Sequence, residues 1–295
     1  MPPKTCTFLS LHAWVFGLTL FAFTSNAYSD WSDHAISWRY GETFRDPFIQ
    51  NNISKNIYSY TYASGSSSGT NYLNVDWLLS DENDPIRKNS REGAEELYLL
   101  YRHTFDLGNL LDRQFQFGPV KGMGVTAGLD LNYKQDAGYN SRKQMLVLGP
   151  TLMMKVPGFL NISLLALWES NSPHASRGAF DPGYPDQRYH YDLHPMLNLA
   201  WGIPFASSPI SFEGYANFIT SKGEDETGHA TAPETNIDMR LMYNLSDVIK
   251  SSTYKVKIGV EYQYWRNKFG NSDAKVGNME GNVASTPMIR MEVHF

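Results

Sequence analysis

Alternation of apolar and polar side chains with a period of two, repeated segment after segment, constrains this chain more than any other feature. In Val125–Tyr133, Val125, Ala127, Leu129, Leu131 and Tyr133 share one face and Thr126, Gly128, Asp130 and Asn132 the other. Lys255–Trp265 sets Val256, Ile258, Val260, Tyr262 and Tyr264 against Lys257, Gly259, Glu261 and Gln263. Leu73–Leu79, Glu96–Arg102, Tyr191–Trp201 and Pro287–Phe295 repeat the pattern. Shorter or weaker versions lie at Ile36–Tyr40, Ile57–Tyr62, Gln144–Met154, Leu160–Glu169, Ile210–Thr220 and Thr235–Tyr243. Successive side chains of a strand point to opposite faces. The chain therefore reads as about twelve strands, each apolar on one face.

Two architectures bury one face of such strands. A soluble sandwich or lipocalin-like barrel turns the apolar face inward and the charges outward. A transmembrane barrel does the reverse, over roughly 10 residues per strand, and bacterial single-chain barrels have an even strand number. The N-terminus favours export. Lys4 is the only charged residue before Asp30, an apolar run extends from Phe8 to Phe23, and Ser25 and Ala27 form a small-x-small exit. These are the parts of a secretory signal peptide. Residues 1–27 are read as that signal and 28–295 as an outer-membrane β-barrel. A single membrane anchor is the weaker reading, because the run is short and no stop-transfer charges follow it.

After residue 27 no apolar stretch reaches 18 residues, so the mature chain has no candidate helical span. Cys6, the only cysteine, falls in the signal region, which leaves no disulfide framework and no thiol metal site. The net charge is -5 and no Lys/Arg cluster appears, which argues against a nucleic-acid partner. There is no HExxH and no Gly-rich phosphate loop after a strand, so no enzyme activity and no cofactor are expected. Ser163 and His194 lie on candidate strands, but nothing places them together. His190 and His194 share a face at two strand repeats, about 13 Å, too far for one metal ion. Asp181–Asp186 (DPGYPD) suits a rigid external loop better than a calcium site.

The connections alternate as well. Gly41–Lys55, Ser80–Glu92, Gln135–Lys143, Asn171–Arg188, Ser221–Pro233 and Arg266–Ala284 follow the odd strands and are the longer set. Ser64–Gly69, Asp106–Pro119, Pro157-Gly158, Ile203–Pro209 and Ser246–Thr253 follow the even strands, with Asp106–Pro119 long for its class. Short periplasmic turns and long external loops place both termini in the periplasm. Phe295 ends the last strand on its outward face, where it is expected to address the barrel-assembly machinery.

The polar faces carry Arg39, Asp76, Glu96, Arg102, Asp130, Glu169, Asp192, Glu213, Asp238, Arg240, Glu261, Arg290 and Glu292. A cation facing lipid at mid-membrane costs roughly 2–4 kcal/mol. Segregation of charge onto one face is what a bilayer selects. In a small barrel such charges meet across the lumen and fill it. Tyr98, Tyr215 and Trp265 also fall on polar faces, whereas Trp38, Trp168 and Trp201 fall on apolar faces as girdle candidates.

Several short motifs resemble the nucleoside-specific channel-forming (Tsx-like) outer-membrane family. They are Tyr40-Gly41-x-x-Phe44-Arg45-x-Pro47, Asn71-x-x-x-Val75-Asp76, Gly93-Ala94-x-Glu96-x-Tyr98, Phe117-Gly118-Pro119, Val156-Pro157-Gly158-Phe159, Phe212-x-Gly214 and the terminal Phe295. Their order spans nearly the whole mature chain. The resemblance implies a monomeric barrel of twelve strands with a narrow lumen that passes nucleosides and similar small solutes. On that reading a base stacks on inward rings and ribose hydroxyls donate to carboxylates. The candidate solute-binding residues are Asp76, Glu96, Tyr98, Arg102, Glu213, Tyr215, Arg240, Glu261, Trp265 and Arg290. The rival is a closed structural, adhesion or receptor barrel with no specific solute.

The signal segment generates a direct test. N-terminal sequencing of protein recovered from fractionated membranes is expected to begin at Tyr28. An intact Met1, or recovery in the soluble periplasm, contradicts that assignment.

Overall fold

The computed structural model describes residues 29–173, 188–251, 253–272 and 281–295. The signal segment and the loop Asp181–Asp186 lie outside the described residues. Twelve long strands form: β1 Trp31–Phe44, β2 Ile53–Ser66, β3 Gly69–Ser80, β4 Glu95–Asp106, β5 Val120–Gln135, β6 Gln144–Met154, β7 Phe159–Asn171, β9 His194–Pro204, β10 Ile210–Ile219, β11 Glu234–Asn244, β12 Lys255–Arg266 and β13 Val283–His294. A two-residue strand, β8 (Tyr189–His190), pairs with the end of β7. Each alternating segment of the sequence thus lies on one of the long strands, and most strands extend beyond it into less regular sequence.

Every long strand pairs antiparallel with its chain neighbour, and β1 pairs with β13 to close the cylinder. Ala35 lies opposite His294, so both described ends of the chain sit at one rim, here the terminal rim. The other, the distal rim, carries the longer connections. Closure matters because an unpaired strand edge cannot be satisfied in an apolar medium.

The wall decides between the two architectures that the alternation allowed. Its outer face is apolar and exposed, as at Leu164 (57%), Val260 (60%) and Ile289 (53%), while the inward neighbours Ser163, Glu261 and Arg290 are buried. This is the transmembrane arrangement and excludes the soluble one, whose charges would be outside. Exposed aromatics collect toward both rims, with Trp77, Tyr133 and Trp168 on the distal side and Phe105, Phe159 and Tyr243 on the terminal side.

Three local departures have physical causes. First, β9 starts at His194 rather than Tyr191. The amides of Tyr191 and Asp192 donate instead to the carbonyls of Glu169 (3.0 Å) and Lys222 (3.1 Å), which pulls residues 191–193 out of the ladder. Asp192 is therefore a loop residue, not an inward strand charge. His190 and His194 do not share a face: His190 is exposed opposite Ser170, and His194 is buried. Second, the long even-numbered connection contains a short helix, α1 (Leu107–Leu111), whose N-cap Asp106 accepts from the Asn109 amide. Third, the Pro157-Gly158 turn is so tight that a Cβ on Gly158 (φ +72°) would come within 2.0 Å of the Gly202 carbonyl oxygen.

The closing seam runs past the last residue. The Phe295 amide donates to the His34 carbonyl (2.9 Å), and its ring stacks on the His34 ring at 5.8 Å. Deleting Phe295 is expected to weaken the seam by about 1–2 kcal/mol and to lower the folded fraction on a heat-modifiability gel. An unchanged folded fraction contradicts this.

Candidate functional site

The lumen is built by the strand register. Asp76 on β3 lies opposite Tyr98 on β4, and Glu213 on β10 opposite Arg240 on β11. Arg240 in turn faces Glu261 on β12. Because inward side chains recur at every second residue, neighbouring strands bring these groups together without any loop involvement.

Their contacts form a continuous ion-pair ladder along one wall. Arg39 on β1 donates to Asp76 (2.5 Å) and to Glu261 (2.8 Å). Arg290 donates to Glu261 (2.7 Å), Glu292 (2.6 Å) and the Ser37 hydroxyl (3.0 Å). Arg240 lies 3.8 Å from Glu292 and 2.9 Å from Glu213, and Lys257 donates to the other Glu213 oxygen (2.9 Å). A separate group on β4 and β5 joins Arg102 and the Tyr98 hydroxyl to Asp130, the latter at 2.6 Å. Charged groups held this way remain inside only because each has a partner.

The wall from β4 to β7 is different. Thr104, Thr126, Thr151 and Ser163 pass hydroxyl hydrogen bonds from strand to strand at 2.6–2.8 Å. Nearer the distal rim, Val147, Leu165, Leu167 and Met196 form an inward apolar patch. The lumen therefore sets the ladder around the seam against hydroxyl and apolar stretches that flank the Arg102–Asp130 group. Tyr98 of β4 and Tyr215 of β10 both face the lumen, beside Asp130 and Asp238 respectively.

Of the ten sequence candidates, Asp76, Glu213, Arg240, Glu261 and Arg290 belong to the ladder. Tyr98 and Arg102 flank Asp130, and Tyr215 stands beside Asp238, opposite it in the register. Glu96 and Trp265 point inward as the alternation requires but join the distal mouth. Glu96 accepts from Asn132 and lies 4.0 Å from Lys55, and Trp265 donates to Glu234 (2.5 Å). Arg39 links Asp76 to Glu261, yet the candidate set omits it. Tyr72 and Lys257 are also absent from that set, although counting by two from Asp76 and Glu261 finds both. Ser163 lies opposite Asn198, and Leu167 opposite His194, so Ser163 and His194 are about 13 Å apart along the wall and form no nucleophile–base pair.

At the distal mouth, groups from several hairpins form ion pairs. Asp46, between β1 and β2, accepts from Lys55 (3.4 Å), Lys134 (2.9 Å) and Lys268 (2.6 Å). Asp84, between β3 and β4, lies 2.9 Å from Lys134. Glu169 takes Lys222 (2.9 Å) and Lys143 (3.2 Å) on the opposite side. An apolar cluster of Phe44, Ile53, Ile57 and Met288 lies within this end of the barrel.

Burial pushes the Asp46 carboxyl up, but Lys134, Lys268 and Lys55 together hold it well below its ordinary value of 3.8. A depressed carboxyl stabilises the fold above its unfolded pKa and loses that contribution as pH falls through the folded value. The Asp46 cluster is thus expected to loosen only under strong acid, below the ordinary carboxylate range. Asp46→Asn should destabilise the barrel by about 3 kcal/mol at neutral pH and remove the acid-dependent part, measured by denaturant unfolding across pH. An unchanged midpoint at neutral pH contradicts this.

No protein-family model matches the chain, and no curated protein matches it. Among solved structures it is similar to the β domain of the Bordetella autotransporter BrkA, with 11% identity over 90% of this chain and 98% of that one and a TM-score of 0.37. It is also similar to the translocator domain of the autotransporter NalP from Neisseria meningitidis, at 9% identity over 90% and 86% and a TM-score of 0.38. A further similarity is to the outer-membrane protein OpdK from Pseudomonas aeruginosa, at 10% identity over 90% and 97% and a TM-score of 0.25.

Proposed function

We propose that this protein is an outer-membrane channel for passive uptake of small hydrophilic solutes, and that nucleosides are the solute class. The observation that carries the reading is the mixed lumen inside an apolar-walled closed barrel. Its ladder of carboxylates and cations offers acceptors and donors to ribose hydroxyls. Its hydroxyl and apolar stretches and the rings of Tyr98 and Tyr215 offer faces for a base, and base–ring stacking contributes about 1–3 kcal/mol per base. Each contact is modest, as a channel needs solutes to leave again. The longer connections at the distal rim support an external position for that rim and a periplasmic position for both termini. The chain works as a monomer in outer-membrane lipid, delivered there by the assembly machinery through its terminal strand.

One observation favours a second reading. The side chains of Glu261 and Arg290 are 0% and 3% exposed, so the centre of the ladder is tightly packed. A barrel closed at that level would be structural or adhesive. Single-channel recording in planar bilayers separates the two. A channel gives steady conductance and lets nucleosides swell proteoliposomes, and a closed barrel gives neither.

Tyr98→Ala is expected to lower nucleoside uptake at low external concentration about fivefold, through lost stacking, while small-ion conductance changes little. Tyr98→Phe keeps the ring and loses the bond to Asp130, so it should retain most uptake. Unaffected uptake in a folded Tyr98→Ala protein removes Tyr98 from the solute path.

A further inference from the structure

Near the distal rim the outer wall carries an arginine held over an aromatic ring. Arg142 precedes β6, and its guanidinium lies 5.2 Å from the centre of the Tyr133 ring, which faces outward. Its position is fixed from both sides: the Arg142 amide donates to Asn171 Oδ1 (2.9 Å), and its carbonyl accepts from the Ser172 amide (3.3 Å). Arg188 reaches across from the segment before β8. Its Nη1 donates to the same Arg142 carbonyl (3.0 Å) and to the hydroxyl of Ser170 (3.1 Å), two residues beyond the outward Trp168.

The Arg188 guanidinium therefore meets the Arg142 backbone, while the Arg142 guanidinium lies over the aromatic ring of the wall. Among the described residues no carboxylate lies within 4 Å of either one, in contrast to the paired cations of the lumen. Arg142 Nε is buried and has no hydrogen-bond partner. Burial and the like charge of Arg142 both draw the Arg188 pKa below its ordinary value, so the two cations repel. Neighbouring like charges without a counter-ion are costly in a folded protein, and an anion that binds both relieves the cost. Just below them on the wall, Trp168 and Leu146 are exposed at 46% and 58%. The pair thus sits where an aromatic girdle meets the loops, at the level of lipid headgroups.

We infer that Arg142 and Arg188 form a clamp for the phosphate of an outer-leaflet lipid, with Tyr133, Trp168 and Leu146 receiving the neighbouring acyl chain. Planar guanidinium forks match phosphate oxygens in pairs, which an ammonium does not. A free phosphate would take the same two forks but would leave the apolar surface beneath them unused. The inference rests on the outer-membrane placement proposed above and is independent of solute passage.

Purified full-length barrel in detergent would be titrated with bis-phosphorylated lipid A, with dephosphorylated lipid A and with inorganic phosphate, and bound lipid would be counted by native mass spectrometry. Loss of two charge-assisted contacts should weaken retention of the phosphorylated lipid about tenfold or more in Arg142→Gln/Arg188→Gln. Both proteins should bind the dephosphorylated lipid equally weakly, and millimolar inorganic phosphate should not displace the lipid. Equal retention of phosphorylated lipid by the two proteins, or of both lipids by the native protein, overturns the clamp. Displacement by inorganic phosphate overturns the lipid assignment in favour of a free-anion site. Should the double glutamine variant lose its folded gel migration, Arg142→Lys/Arg188→Lys keeps the charge and loses the forks. Retention by that pair equal to native overturns the clamp, and weaker retention supports it. Conductance of the same preparations reports the channel reading separately.

Discussion

The pairing of β1 with β13 is the interaction on which everything else in this molecule depends. Without it the wall would be an open sheet with two edges of unsatisfied amides and carbonyls, which an apolar medium does not tolerate. With it, each long strand has a partner on both sides, from Gly41 opposite Met288 at one end of the seam to Ala35 opposite His294 at the other. The seam also brings the first and last strands together inside. Arg39 and Arg290 lie opposite each other in the register, yet both reach Glu261 on β12. Two cations forced together by closure share one carboxylate, and the remaining ladder extends outward from that point to Asp76 on one side and Glu213 on the other.

Closure also sets the chemistry available to a solute. A strand that must be apolar outside has only its inward positions for charge, so the acids and bases of twelve strands converge on one lumen. Their distribution there is uneven. The ion-pair ladder gathers on the strands around the seam, while β5, β6 and β7 add hydroxyls and aliphatic groups between their fewer charges, Asp130, Lys134 and Glu169. Loops contribute mostly at the distal mouth, where Asp46 and Asp84 meet Lys55, Lys134 and Lys268. On the channel reading, a solute would meet rigid wall positions in the lumen and loop ion pairs at the distal side.

The strands were legible because alternation is a local property, and the bilayer enforces it at each position along the wall. The inward direction of Asp76, Glu213 and Arg290 followed from the same rule. Depth within the lumen was not legible, because shear between strands depends on pairings distant in sequence. Glu96 and Trp265 illustrate this: both point inward as expected, but register carries them to the mouth. Asp192 was misplaced because backbone bonds to Glu169 and Lys222 break the strand just before Pro195, and alternation alone carries no sign of that break. The Asp46 cluster was beyond reach for a similar reason, since its lysines come from positions 55, 134 and 268 and no local pattern links them.

The central claim is that the apolar faces of these strands meet lipid and the charged faces meet the lumen. Single-cysteine scanning along β12, in a chain whose sole native cysteine is Cys6, tests it most directly. Spin labels placed at successive positions from Val256 to Gln263 in bilayer-reconstituted protein would be measured for collisions with oxygen and with a polar nickel chelate. The account predicts period-two alternation, with oxygen accessibility high at Ile258, Val260 and Tyr262 and low at Lys257, Gly259 and Glu261. Alternation of the opposite phase, or none, contradicts it.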